Sequence, residues 1–330
     1  MDDWQPIAPH PGRLVAPVPL DPTGRAGPTR GQARGPGWRT TSYGLFVPAT
    51  VTDQLVEQRI IEASARLRGR GAVTGWAALR LHGAGFSDGL ARDGRTRLPV
   101  PLLTGSSWLH ASSETTVSRA ELPASEVTVR HGVRVTTAER AVLDELQRLV
   151  PDLREMVVAI DMAAAARLTS ILRMRRFVHD RARVVGIDFV HHALALADEG
   201  AASPQESRLR LIWVLDAALP QPICNRAVFS LRTGAFLGTP DLLDAEAGPA
   251  AEYDGGYHRS AARHRRDNHR REAFAGAGLE SVTVVGGELQ SVDLVVSRLR
   301  AAYKRAVGRR RDWMVGDPGP SLDEILDRRG

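Results

Sequence analysis

Glu252 and Asp254 stand one residue apart in the run Ala-Ala-Glu-Tyr-Asp-Gly-Gly-Tyr-His, a short apolar segment at 250–258 that reads as a strand. In a strand, residues i and i+2 project from one face. The two carboxylates therefore stand side by side while Tyr253 points the other way. Asp241, directly after Pro240, lies on the preceding strand candidate, and a hairpin pairing sets it opposite them. Three carboxylates at one sheet edge repel one another unless they are protonated or share a cation. Oxygen donors of this kind suit Mg²⁺ or Mn²⁺. The plainer alternative is a solvated acidic face that pairs with nearby arginines.

Two further residues fit the same chemistry. Glu206 follows Ser203 by three positions, the spacing of a helix capping box, and it also lies where a first helix could turn a carboxylate toward the sheet. The two roles are compatible, and Arg210, four residues on, could orient it through an i,i+4 ion pair. His258 follows the double glycine, within reach of a scissile phosphate or a metal-bound water, where it would act as general acid or base near neutral pH. Otherwise it is a solvated loop histidine. Arg263, Arg265, Arg266, Arg270 and Arg271 then give a basic helix interrupted by Asp267. Such a run is usually a solvated face, yet beside an acidic site it is what gripping a phosphodiester requires.

Other chemistries find no residues. No Gly-x-x-x-x-Gly-Lys-Ser/Thr phosphate loop, Gly-x-Ser-x-Gly elbow or Gly-x-Gly-x-x-Gly turn is present, and Lys304 is the only lysine. Cys224 is the only cysteine, which rules out an internal disulfide and thiolate-rich zinc sites. The 330-residue chain carries a formal charge of +6 and is 25% charged and 43% hydrophobic, a globular composition whose basic balance favours phosphate-rich partners. The arginine excess fits bidentate oxyanion recognition or a GC-rich genome equally. With no basic-then-apolar leader and no apolar run near the ~18 residues of a membrane span, the expectation is a cytoplasmic protein that does not enter a membrane.

The elements that must position these residues are legible in outline. Residues 1–40, dense in Pro, Gly and Arg, read as a disordered basic arm. Residues 41–150 hold a strand at 43–49, a helix over 52–71, a second helix after Thr74 stopped by Gly83, and strands near 97–105. A hairpin turns at His131-Gly132, and a helix is capped by Thr136 and Glu139 and closed by Pro151. Two or three helices over 151–202 connect the halves. Over 203–307 the order is α-β-β-β-α-β-α, opening with Ser203 as N-cap and Pro204 at the first helical position. The tail from Gly308 to 330 reads as polar and flexible.

The blocks Gly-Thr-Pro-Asp-Leu-Leu-Asp, Ala-Ala-Glu-Tyr-Asp-Gly-Gly-Tyr-His-Arg and Arg-Arg-Asp-Asn-His-Arg-Arg-Glu-Ala-Phe-Ala-Gly-Ala-Gly-Leu-Glu-Ser-Val-Thr-Val-Val resemble a bacterial group related to the very-short-patch-repair endonucleases. That group lies within the restriction-endonuclease-like PD-(D/E)XK superfamily. The resemblance covers 203–300 and implies an α-β-β-β-α-β core that hydrolyses DNA with a metal-activated water. It implies Asp241, Glu252 and the Tyr253 backbone carbonyl as metal ligands, with Glu206, Asp254 and His258 as further catalytic groups. It also implies Arg263, Arg266, Arg270 and Arg271 at the DNA. Asp254 stands where the superfamily has its lysine, which very-short-patch-repair-like branches also lack, and this leaves open an active site or a retained DNA-binding shell. Residues 40–147, chiefly Val-Arg-Val-Thr-Thr-Ala-Glu-Arg-Ala-Val-Leu-Asp-Glu-Leu, are similar to the AbiEi-type antitoxin region with its winged-helix-like segment. The helix pair at 53–83 would then read DNA or simply pack, with packing or non-specific contact favoured. Together these imply an α+β or α/β chain, DNA as partner, and Mg²⁺ or Mn²⁺ as cofactor. A homodimeric or a toxin–antitoxin or defence partner is left open. The alternative function is a non-catalytic DNA-binding regulator.

Overall fold

Alternating valines on either side of His131-Gly132 dictate a hairpin, and in the computed structural model both turn residues have positive φ, 51° and 75°. That left-handed pair matches the twist of two strands joined by two residues. The structure describes residues 14–67, 71–105, 109–181, 184–255 and 261–329, and the side chains of these outside 261–268. The fold is mixed α+β, and the chain forms two compact units, Met1–Leu149 with Asp180–Val185, and Val150–His179 with Gly186–Gly330.

The first unit holds β1 (Val18–Pro19), β2 (Trp38–Ser42), β3 (Leu45–Pro48), α1 (Val56–Ser64), β4 (Ala72–Val73) and α2 (Gly75–His82). After them come β5 (Val100–Leu103), β6 (Thr115–Ser118), the hairpin β7 (Val127–Arg130) and β8 (Val133–Thr136), and α3 (Ala138–Leu149). Five strands form a mixed sheet in the order β6-β5-β4-β8-β7, and three form an antiparallel sheet β1-β3-β2. Helix α2 is buried from Gly75 to Leu81. Helix α1 buries even its polar side chains: Arg80 pairs with Glu57 at 2.6 Å, and Gln58 exchanges hydrogen bonds with the Val15 backbone. The helix pair at 53–83 is thus packed within this unit.

Two expectations in this unit are corrected. The stretch 14–40 is no plain disordered arm: β1 pairs with β3, and the Asp21 carboxylate gathers the N–H groups of Ala26, Thr23 and Arg25, which pull its pKa down to about 2. Residues 1–13 lie outside the described ones. The capping box at Thr136 is displaced because β8 stays paired up to Thr136, opposite Val127. The helix starts only at Ala138, and the Thr136 hydroxyl meets that of Thr74 at 3.0 Å. Thr74 also sits at the N-cap of α2, yet its hydroxyl is donated to Asp144 instead of capping the helix.

The second unit begins with α4 (Leu153–Ala165), α5 (Ile171–His179) and α6 (Ile187–Leu196), the helices expected between the halves. Helix α7 (Pro204–Leu211) continues into a π turn at Ile212–Asp216, and Ser203 caps it by accepting the Glu206 N–H. Then follow β9 (Ile223–Cys224), β10 (Val228–Ser230), β11 (Phe236–Gly238), β12 (Leu242–Leu243), β13 (Pro249–Asp254), α8 (Ala261–Gly276), β14 (Glu280–Val285), α9 (Val292–Ala306), β15 (Trp313–Val315) and α10 (Leu322–Asp327). A four-stranded sheet runs β14-β13-β12-β9, with β13 and β14 parallel. Alternate residues of β12 and β13 face opposite ways. Leu242 and Ala251 join Trp213, Val284 and Leu299 in one core, while Leu243 and Ala250 join Val228, Phe274 and Trp313 in another. Helices α7 and α9 therefore cover one face of the sheet, and α8 covers the other.

The strand count exceeds the expected three before α8. Asn225, at φ 49°, breaks the first candidate, and Pro240 interrupts the second. The halves separate, with β9 and β12 in the main sheet and β10 and β11 in a small sheet, β11-β10-β15. That small sheet overturns the reading of a flexible tail. Trp313, 1% exposed, fills the α8-side core, and β15 pairs with β10 along Val228↔Val315 and Phe229↔Met314. Helix α10 carries its own capping box, Ser321 with Glu324. Among the described residues no helix is long and apolar enough to cross a membrane.

Candidate functional site

Glu206 is fixed by the start of α7. Its backbone N–H is donated to Ser203 at 3.2 Å, and its carboxylate accepts from the Ala202 N–H at 2.9 Å and the Asn225 side-chain amide at 2.7 Å. The capping box itself does not form, since the Glu206 carboxylate takes the Ala202 N–H and not that of Ser203, and through Asn225 it reaches toward the sheet. The i,i+4 pair with Arg210 is a correction. Arg210 turns to Asp161 of α4 at 2.7 Å, both side chains fully buried, and Asp161 also accepts the Ser207 hydroxyl at 2.6 Å. With Glu206 drawn back to Ala202 and Asn225, the buried acid on α4 is the partner Arg210 meets.

Asn225 is a positioning residue of this cluster that the sequence reading missed. Its backbone N–H is donated to the Asp241 carbonyl at 3.0 Å, and its amide also reaches the Gly200 carbonyl at 2.9 Å. One left-handed residue thus ties α7, β9 and the start of β12 together. Asparagine is among the few side chains that adopt this conformation readily, and its position between two apolar runs was the available signal.

Asp241 immediately precedes β12, and the pairing Leu242↔Ala251, continued one step, sets it opposite Glu252. The expected hairpin register is therefore present. The Tyr253 N–H is donated to Asp241 Oδ2 at 2.7 Å. Burial, then the charges of Glu206 and Glu252, push the Asp241 carboxyl up to about 7, against the opposing effects of the Tyr253 N–H and Arg270. Glu252, 6% exposed, shares the α8 side of the sheet with Ala250 and Asp254, and Arg270 Nη2 lies 3.1 Å from its Oε1 and 3.2 Å from its Oε2. Tyr253 points the other way, packed against the α7–α9 core, its hydroxyl pushed upward in pKa by burial.

The structure sets Glu206 and Glu252 near enough to Asp241 for the charges of both to act on it. Asp254 stands one step beyond, half-buried at the end of β13, where its charge acts on Tyr253. Each coupled acid has its own donor: Asn225 for Glu206, Tyr253 for Asp241 and Arg270 for Glu252. Among the described residues, no group of three His, Cys, Asp or Glu side chains is arranged to hold a metal ion. Of the basic helix, Arg270 turns inward, and Arg271 is exposed and donates to the Thr283 hydroxyl at 3.0 Å. The side chains of Arg263, Arg265 and Arg266 fall outside the described residues, as does His258.

In kind, the donors fit a hard divalent cation. They are carboxylate oxygens, with the Tyr253 carbonyl on the same strand, and burial first, then the charges of Glu206 and Glu252, raise the proton affinity of Asp241. Perturbed acids of this type concentrate at functional sites. No family model, curated protein or solved structure matches this chain.

Proposed function

We propose that the second unit is a metal-dependent DNA endonuclease with a restriction-endonuclease-like core, acting in phage defence or DNA repair in the cytoplasm. The observation that carries this reading is Asp241, a buried acid whose pKa is pushed to about 7 by burial and by Glu206 and Glu252, on the sheet face covered by the arginine-rich helix α8. Asp241, Glu252 and the Tyr253 carbonyl would hold the Mg²⁺ or Mn²⁺ ion. The ion would supply an acidified water and stabilise charge on the phosphate. The Tyr253 N–H fixes the Asp241 carboxylate, and Asn225 with the Ala202 N–H holds Glu206 beside it. Arg271, Arg263 and Arg266 would grip DNA phosphates, and His258 would exchange protons with the reacting groups. Asp254 stands in place of a lysine at the end of β13.

A second reading has a specific observation behind it. Arg270 already neutralises Glu252, which is what a non-catalytic DNA-binding regulator of toxin–antitoxin type, with a winged-helix-like first unit, would retain. Cleavage of supercoiled, linear and mismatched DNA in Mg²⁺ and Mn²⁺ separates the two. Cutting by wild type that is lost in both Asp241→Ala and Glu252→Ala supports the nuclease. DNA binding without cutting in all three proteins supports the regulator.

A further inference from the structure

Trp313 is 1% exposed, and its ring lines a cavity of about 270 Å³ in the second unit. The indole nitrogen is a donor only, and a buried tryptophan usually finds an acceptor for it. Trp76 and Trp213 do so, at the Pro99 and Pro220 carbonyls, whereas Trp313 meets no acceptor among the described residues. That nitrogen is not among the sealed, unsatisfied atoms of the core either, so the small open part of the ring includes its N–H. The Nε1 edge faces Gly248, where a Cβ would stand 3.2 Å from Cζ2 and 3.8 Å from Nε1, beside the lining residues Glu246 and Ala247. A buried donor without a partner therefore looks into the cavity.

The same cavity holds two opposite charges that do not pair with each other. Arg311 lays its guanidinium 3.9 Å from the centre of the Trp313 ring and donates Nε–H to the Trp313 carbonyl at 3.2 Å. These contacts fix the plane of the fork and leave both terminal nitrogens for an oxyanion. Arg309 is also in the wall, but Glu280 holds it at 2.5 Å. Glu246 is anchored through its backbone N–H to Asp244, and its carboxylate has no ion-pair partner among the described residues. Ala306 and Val307 bring the C-terminal end of α9 to the wall, where the helix dipole favours a cationic group. With Ala247 they also make its short apolar lining.

We infer that this cavity binds a free α-amino acid with a short aliphatic side chain. The ligand carboxylate takes the Arg311 fork and the Trp313 N–H, its ammonium takes Glu246 and the end of α9, and its side chain packs on Ala247, Ala306 and Val307. A plain anion would meet Glu246 and the helix end, and a plain cation would meet Arg311, whereas a molecule carrying both charges meets neither repulsion. At about 270 Å³ the space lies just below the roughly 300–1,000 Å³ that larger ligands need. The site is separate from the acid cluster, since Gly248 precedes β13 and about 13 Å of strand lead from it to Glu252. It neither supports nor depends on the nuclease reading.

The test is calorimetry of the full chain with L-alanine, L-valine and L-leucine. Isovalerate and isobutylamine, which are valine without its ammonium and valine without its carboxylate, serve as the comparison, with inorganic phosphate as a plain oxyanion. The indole N–H resonance of Trp313, assigned by its loss in Trp313→Phe, is followed in the same titrations. At least one amino acid should bind and move that resonance, and each truncated analogue should bind at least about tenfold more weakly than valine, the worth of one charge-assisted contact. Glu246→Gln and Arg311→Met, both at exposed positions, should each weaken amino-acid binding by about tenfold. Isovalerate or phosphate binding as tightly as the amino acids reduces the cavity to a plain anion site and overturns the proposal. Amino-acid binding unchanged in both variants overturns it too, as does folded wild type in which none of the three at about 10 mM gives heat or moves the Trp313 signal. None of these results bears on Asp241 and Glu252.

Discussion

Replacing Asp241 by asparagine should stabilise the second unit, and the size of the gain should depend on pH. Asp241 titrates at about 7 in the fold against an ordinary 3.8. An acid whose pKa is raised on folding binds its proton more tightly in the folded state. Its contribution is therefore most favourable below about 4 and is lost as pH rises toward 7. At pH 8 the full penalty applies, about 4 kcal/mol at 1.36 kcal/mol per pH unit of separation. Asparagine keeps the size of the side chain and an oxygen for the Tyr253 N–H, now 2.7 Å away, but carries no charge against Glu206 and Glu252. Asp241→Asn should thus be more stable than wild type by a few kcal/mol at pH 8, and near-equal to it at pH 4. Hydrogen exchange of peptides covering β12 and β13 reports this unit separately from the first. A variant less stable than wild type at pH 8, or a difference that does not change with pH, would refute the reasoning. The expected trade of stability for a charged site is common in functional centres.

Three other outcomes follow from named contacts. Asp161→Ala should destabilise the second unit by about 3–5 kcal/mol, the usual cost of orphaning one partner of a buried pair, because Arg210 is left fully buried; urea unfolding of the variant measures it. Asn225→Gly keeps the left-handed backbone and loses the amide contacts to Glu206 and Gly200, whereas Asn225→Ala loses both. The alanine variant should therefore be the less stable of the two, by about 1 kcal/mol, in the same hydrogen-exchange measurement. Trp313→Ala empties a site 1% exposed in the α8-side core and should cost about 3–5 kcal/mol in urea unfolding. If β15 were dispensable, the Trp313→Ala variant would unfold at the wild-type urea concentration.

Local rules carried the parts of the site that depend on local geometry. The i, i+2 spacing puts Glu252 and Asp254 on one face with Tyr253 on the other, and one hairpin step brings Asp241 across from Glu252. Both are consequences of strand pleat and antiparallel register, and both are present. Ser203 and Pro204 start α7 where helix capping dictates. What local rules missed was decided by distant partners. Arg210 is four residues from Glu206, yet the acid that claims it, Asp161, is on another helix. Arg270 reads as one of several solvated arginines until the fold brings it over Gly238 to Glu252. The segment after Gly308 is polar enough to read as loose, and only its pairing with β10 buries Trp313. Thr136 fits a capping box in isolation, but the β7–β8 ladder claims it first.

The most direct test of the central claim is conversion of supercoiled plasmid to nicked or linear DNA at pH 8, with Mn²⁺ or with chelator, by wild type, Asp241→Asn and Glu252→Gln. The account predicts Mn²⁺-dependent nicking by wild type that chelator abolishes, and no nicking by either variant although Asp241→Asn is the more stable protein. Nicking that survives in Asp241→Asn, or intact plasmid with folded, DNA-bound wild type in Mn²⁺, would contradict it.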